Sequence, residues 1–189
     1  MIGHSAIMRS TFHFGKYSSF SVTAVQKRTH MFSSTGMKGV ATIRLWDNKG
    51  NLKHTETVTN LITTAGDLYY ASRAAVGVLP AAPGDVTKVT GMKLGTGTTI
   101  PTKSGAASAL ITYKNASNLP FISTFPQVGV TGPDIGYKIT YYVSWGPGVA
   151  TDGALAEAVM VTDSAANATS VAADTISRIT FTPINKQAG

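Results

Sequence analysis

Alternation of apolar and polar positions is the dominant signal along this chain. Residues 136–145 carry it most cleanly. Ile139, Tyr141, Val143 and Trp145 fall on one face, and Lys138, Thr140, Tyr142 and Ser144 on the other, which is the period of two that a half-buried strand requires. Gly146-Pro147-Gly148 ends the run. Residues 40–46 repeat the pattern, with Ala41, Ile43 and Leu45 on one face. Asp47-Asn48-Lys49-Gly50-Asn51 then supplies residues that tolerate positive φ. Residues 53–59 return as a second β-rich run, so the two predict a hairpin. Further strands are predicted at 91–95, 109–114, 155–162 and 175–183, the last with Ile179 and Phe181 inward.

One segment changes period. In and after Asn60-Leu61-Ile62-Thr63-Thr64-Ala65-Gly66-Asp67, the residues Leu68, Ala71, Ala75 and Val76 follow helical spacing. Thr64 is expected as N-cap, Asp67 lies near the helix's positive end, and Gly77 suits a C-cap. Residues 78–90 and 163–174 read as loops, and 96–102 as a turn. Residues 115–135 read as irregular, with Phe121, Ile122 and Phe125 expected to bury. Seven or eight short strands and one short helix predict a mainly β chain. The expected architecture is a single β-sandwich or jelly-roll-like domain over residues 38–189, preceded by an extended N-terminal arm over residues 1–37. Weak alternation at 18–25 suits one strand laid on a neighbour as well as it suits an extended arm. The edge beside the last strand is expected to be open, and open edges invite pairing.

Composition narrows the chemistry. The chain has 189 residues, 43% hydrophobic and only 13% charged, enough apolar content for a sizeable core and too little charge for wholesale disorder. It contains no cysteine, which removes disulfides, thiolate metal sites and cysteine nucleophiles together. Nothing approaches the roughly 20 apolar residues of a membrane-spanning helix.

The charge is uneven. Arg9, Lys16, Lys27, Arg28, Lys38 and Arg44 all precede the first acid, Asp47, so the net charge of +7 sits mostly in the N-terminal quarter. Three readings of that segment stand side by side. It is a flexible arm that docks on an acidic surface, either a partner protein or nucleic acid, a mitochondrial-type presequence, or an upstream extension, since Met31 and Met37 are alternative starts. No apolar core of a secretory signal follows the basic start.

Candidate catalytic groups are few. His54 is the only histidine outside the N-terminal segment, on a predicted hairpin strand. Glu157 is the only acid inside a later strand, and its partner in a carboxylate pair would come from Asp134 or Asp152. Gly95-Thr96-Gly97-Thr98-Thr99 looks like a phosphate loop but lacks the Gly-Lys-Ser/Thr ending; a tight turn is expected. Tyr137, Tyr141, Tyr142 and Trp145 could stack sugars or bases, but Tyr141 and Trp145 share the predicted core face. An outward Tyr142 is the candidate interface anchor. No catalytic, cofactor or metal site is expected.

Four segments, in order, resemble a recurrent class of small virion proteins of tailed bacteriophages. They are Asn60-Leu61-Ile62-Thr63-Thr64-Ala65-Gly66; Met92-Lys93-Leu94-Gly95-Thr96-Gly97-Thr98-Thr99-Ile100-Pro101 with a small-residue run ending in Ala109-Leu110; Gly153-Ala154-Leu155-Ala156-Glu157-Ala158; and Ile176-Ser177-Arg178-Ile179-Thr180-Phe181-Thr182-Pro183-Ile184-Asn185-Lys186. The resemblance covers about residues 39–187. It departs at Val159, where the third motif often has glycine, and the basic arm lies outside it. The resemblance implies a non-enzymatic structural protein of the phage particle, chiefly a capsid decoration (cement) protein that braces the major capsid protein lattice. The alternatives are a tail, collar or fibre component, or, outside the resemblance, a carbohydrate-binding β-sandwich module. The implied partners are the major capsid protein, other virion proteins and further copies of the chain, with no membrane or nucleic acid expected. The implied location is the virion, reached from the host cytoplasm during assembly. Arg9, Lys16, Lys27, Arg28 and Tyr142 are the expected contact residues.

Overall fold

The computed structural model describes residues 6–14, 18–26, 38–74, 88–130, 137–151, 153–163 and 170–187. Among them are eleven strands: β1 (Ala6–Phe14), β2 (Ser18–Gln26), β3 (Lys38–Trp46), β4 (Leu52–Ile62), β5 (Gly91–Gly95), β6 (Leu119–Pro120), β7 (Gln127–Val130), β8 (Tyr137–Thr140), β9 (Tyr142–Ser144), β10 (Gly153–Val161) and β11 (Thr175–Lys186). One helix, α1 (Thr64–Ala74), and a 3₁₀ turn (Ala106–Ser108) complete them. The chain is mainly β.

The turn at 47–51 sets the register of the β3–β4 hairpin. The Asp47 carboxylate accepts the backbone N–H groups of Lys49 and Asn51, each at 2.9 Å, and the Asn51 side-chain amide. These bonds, the Asn51 side chain foremost, hold the Asp47 carboxyl well below the ordinary carboxylate range. Gly50 takes φ +83°, open to glycine at no steric cost. The resulting register places Ala41 opposite Val58 and Ile43 opposite Glu56. Ala41 and Ile43 are fully buried, as their alternation requires.

Six strands, in the order β6-β5-β10-β11-β4-β3, form a curled antiparallel sheet. The β1–β2 hairpin continues it, with β2 antiparallel to β3, and β9 runs parallel to β1 at the far side. Just beyond β6, the Ile122 N–H donates to the carbonyl of Tyr142 in β9 at 3.0 Å. The two ends of the sheet therefore come together. One core cluster joins Ala41 and Ile43 of β3, Leu94 of β5, Val143 and Trp145 around β9, Ala158 of β10 and Ile179 of β11. The two layers expected of a sandwich thus belong to one sheet curled on itself, with β7 and β8 as a separate hairpin.

The helix starts one residue from its expected cap. Thr63, not Thr64, is the N-cap: its hydroxyl accepts the Gly66 N–H at 3.0 Å and donates to the carbonyl of Thr175 at 2.5 Å. Thr63 wins because it is buried against β11, whereas Thr64 is exposed. Gly66 sits so close to β11 that a Cβ there would lie 2.1 Å from the Ile176 carbonyl oxygen. Asp67 in the first turn and Arg73 in the last complement the helix dipole. Ala75, Val76 and Gly77 lie outside the described residues.

Other expectations need revision. Residues 109–114 form no strand; the N–H groups of Leu110, Ile111 and Thr112 go to side chains, as described below, and the segment keeps an isolated bridge from Tyr113 to Gly95. The run at 136–145 breaks at Tyr141 into β8 and β9, although Tyr141, Val143 and Trp145 do share the buried face. Phe121 packs against the core, but Ile122 is exposed. Within residues 1–37 the described stretches are β1 and β2, where the sequence leaves a strand and an extended arm both open.

β10 is buried on both faces from Leu155 to Val161. Its inner side chains, Leu155, Ala158 and Met160, join the core. Its outer face carries Glu157 and Val159, beside Lys93 of β5 and Arg178 of β11. Alternation alone would send that face to water. Residues 96–112 lie over it instead.

Candidate functional site

The densest polar chemistry in the described residues lies beneath residues 96–112. Glu157 stands at a register irregularity in β10, between Leu155 and Ala158. Its partner residues are Gly95 in β5 and Thr180 in β11. Glu157 and Arg178 are both wholly buried. The Glu157 Oε2 accepts from Arg178 Nη2 at 2.7 Å and Nε at 3.1 Å. Oε1 accepts the N–H groups of Gly97 at 2.9 Å and Thr112 at 2.8 Å, and the Ile111 N–H is shared between the two oxygens. Arg178 Nη1 donates to the Ala107 carbonyl at 3.0 Å.

This arrangement answers the main objection to a buried ion pair. Two charges taken from water need near-complete hydrogen bonding to be tolerated. Here both carboxylate oxygens carry several donors, and Arg178 uses its remaining fork on a backbone carbonyl. The glycines follow from the same geometry. A Cβ on Gly95 would stand 2.5 Å from Glu157 Oε1, and one on Gly97 2.6 Å from it. The Gly-Thr-Gly segment does cradle an anion through backbone N–H donors, but the anion is the chain's own Glu157 carboxylate. With its acceptor sites filled by four N–H sources and bent around a loop, Glu157 is a structural anchor. Asp134 and Asp152, its candidate partners in acid–base chemistry, lie outside the described residues.

Two other buried cations do similar work. Lys186 is 3% exposed, and its ammonium donates to the carbonyls of Gly146 and Val149 at 2.8 Å each, closing the turn after β9. Lys93, wholly buried, pairs with Asp163 at 3.0 Å. The indole N–H of Trp145 donates to the Ser117 carbonyl at 2.7 Å, and the Ser117 hydroxyl donates to the Leu94 carbonyl while accepting the Leu94 N–H.

Of the expected contact residues, Arg9 and Tyr142 lie on β1 and β9, which pair in parallel with Thr11 opposite Tyr142. Arg9 lies in β1, opposite Thr23 of β2. Lys16, Lys27 and Arg28 lie outside the described residues. Tyr142 is half-buried: its ring stacks on Phe125 with centroids 5.0 Å apart and planes at 29°. Burial pushes its hydroxyl up to about 12, against an opposing hydrogen bond from Ser144. The Tyr141 and Trp145 rings lie in the core, 4% and 0% exposed, so they offer no platform for stacking a sugar. His54 lies 3.4 Å from Glu56 on β4. Among the described residues, no three His, Asp or Glu side chains gather to hold a metal ion. No helix there is long and apolar enough to cross a membrane.

Sequence reasoning missed the Glu157–Arg178 anchor. The available signal was the coincidence of one acid and one arginine at outward positions of two late strands, opposite a double-glycine turn. The four segments that carry the phage resemblance meet here and at the adjoining helix cap. Thr63 bonds to Ile176, and Glu157 to Gly97 and Arg178. No family model, curated protein or solved structure matches this chain.

Proposed function

We propose that the chain is a non-enzymatic structural protein of a tailed-bacteriophage particle, a capsid decoration protein that binds and braces the major capsid protein lattice. The observation that carries this reading is the convergence of the four phage-like segments. They are far apart in sequence, yet their side chains interlock residues 96–112, β10, β11 and the start of α1 into one body. The resemblance is thus to a set of residues that must occur together to build one fold.

A body tied in this way suits a mechanical role. A brace works when it deforms less than the joint it spans, and buried ties from residues 96–112 to β10 and β11 limit deformation. The basic N-terminal segment supplies the adhesive element in this reading. Arg9, Lys16, Lys27 and Arg28 meet acidic grooves of the capsid surface. Tyr142, on its Phe125 support, is a rigid aromatic contact that loses little side-chain entropy on docking. Copies that also touch one another multiply a modest single-site affinity.

Co-sedimentation of the purified chain with decoration-stripped heads of its own phage tests the reading. Saturable binding in proportion to the number of capsid subunits supports it. Binding to isolated tails or collars, with none to heads, replaces it with the tail or collar reading.

A further inference from the structure

The geometry points to a covalent cross-link: an amide bond formed by the chain itself between the Lys93 side-chain amine and the Asp163 side-chain carboxyl. Lys93 sits at the centre of β5, opposite Val159 of β10, with its side chain wholly buried. Asp163 lies two residues beyond the end of β10. Its Oδ1 accepts from Lys93 Nζ at 3.0 Å, while its Oδ2 is buried and has no hydrogen-bond partner. The backbone holds both residues in place. The Thr90 N–H donates to the Val161 carbonyl, and the Thr162 N–H to the Asp174 carbonyl, each at 3.0 Å.

Contact of this kind turns condensation of an amine with a carboxylic acid into an intramolecular step. A proton passes from the Lys93 ammonium to the carboxylate and leaves a lone pair on Nζ. That lone pair attacks Cγ and forms the new C–N bond. Oδ2, held by no donor, collects the protons and leaves as water when its C–O bond breaks. Of the three ammonium protons, two depart with the oxygen and one stays on the amide nitrogen. The charges +1 and −1 cancel, and nothing is oxidised or reduced. The product replaces a wholly buried ammonium and a partly buried carboxylate with one neutral amide, which removes the penalty of keeping the ammonium out of water. In a chain without cysteine, it supplies a staple that ignores redox conditions and spans 70 residues of sequence. It ties β5, which leads directly into the anchored residues 96–112, to the far end of β10.

The test is the intact mass of the purified full-length chain under denaturing conditions, followed by tryptic mapping. The expected result is a mass lower than the sequence mass by one water. It comes with loss of cleavage after Lys93 and a branched peptide joining Lys93 to Asp163. Asp163→Ala should carry the mass of its own sequence. A wild-type mass equal to the sequence mass overturns the proposal. A water loss that maps to a cyclised aspartyl backbone, with Lys93 still cleaved, also overturns it. Both readouts come from the wild-type chain, so neither depends on the variant folding.

Discussion

Replacing Arg178 by methionine keeps the length and apolar stem of the side chain and removes its charge and its donors. In the wild type those donors serve two acceptors, Glu157 Oε2 and the Ala107 carbonyl. The variant leaves Glu157 as an unpaired buried charge, which costs about 3–5 kcal/mol when one partner of a buried pair is deleted. It also strips the Ala107 carbonyl of its donor, a loss of about 1–3 kcal/mol if water does not reach it. The two overlap, because a loosened loop admits water to both, and the expected loss is about 4 kcal/mol. That is a large share of the roughly 5–15 kcal/mol that holds a domain folded. With a urea slope of about 2 kcal/mol/M the midpoint falls by about 2 M. Fluorescence of Trp145, which is wholly buried beside Ser117, follows the transition. Lys103→Met is the control: its pair with Asp67 has both side chains 46% exposed, and such surface pairs contribute about 0–1 kcal/mol. Adding Glu157→Gln to Arg178→Met should recover part of the loss by removing the orphaned charge. If Arg178→Met costs no more than the control, the anchor does not hold residues 96–112 down.

Gly95→Ala should destabilise by about 1–3 kcal/mol as an overpacking change, because its Cβ would meet the Thr112 carbonyl oxygen at 2.4 Å as well as the Glu157 carboxylate; hydrogen exchange at the Ile111 and Thr112 amides should accelerate with it. Burial pushes the Tyr141 hydroxyl from the ordinary 10 up to about 12. The folded state therefore keeps its proton where the unfolded state loses it, so stability is full below pH 10 and declines between about 10 and 12, by up to about 3 kcal/mol from this residue. Alkaline urea titrations should show that slope, reduced in Tyr141→Phe. Under the proposed function, changing Arg9, Lys16, Lys27 and Arg28 to Ser should flatten the salt dependence of head binding and leave the melt intact. An unchanged salt response would assign the docking to strand pairing or apolar burial instead.

Alternation located β3, β5, β10 and β11 because each presents one face to the common core, and Ala41, Ile43, Leu94, Ile179 and Phe181 are buried as the pattern requires. It failed at residues 109–114, where the composition is strand-like but the N–H groups of Ile111 and Thr112 are taken by Glu157 and that of Leu110 by Ser170. A side chain that replaces a neighbouring strand leaves no periodic trace. It failed again on the outer face of β10, where Glu157, Val159 and Val161 occupy outward positions yet are buried. The covering layer there is a loop, and loops carry no period to read. The helix cap moved from Thr64 to Thr63 because two adjacent threonines are equivalent as caps until tertiary contact with β11 selects one. Of the contact residues expected from charge and aromaticity, Tyr142 is placed on Phe125 and Arg9 in β1. Neither position could be read from net charge, which reports partner chemistry and not geometry.

Under the proposed function, the copy number of this chain in purified phage particles, measured by quantitative mass spectrometry against the major capsid protein, tests the central claim most directly. A decoration protein follows the symmetry of the shell, so the account predicts a fixed, small-integer ratio to capsid subunits that is retained when tails are removed. A ratio far below that, lost with the tails or confined to the portal vertex, would contradict capsid bracing.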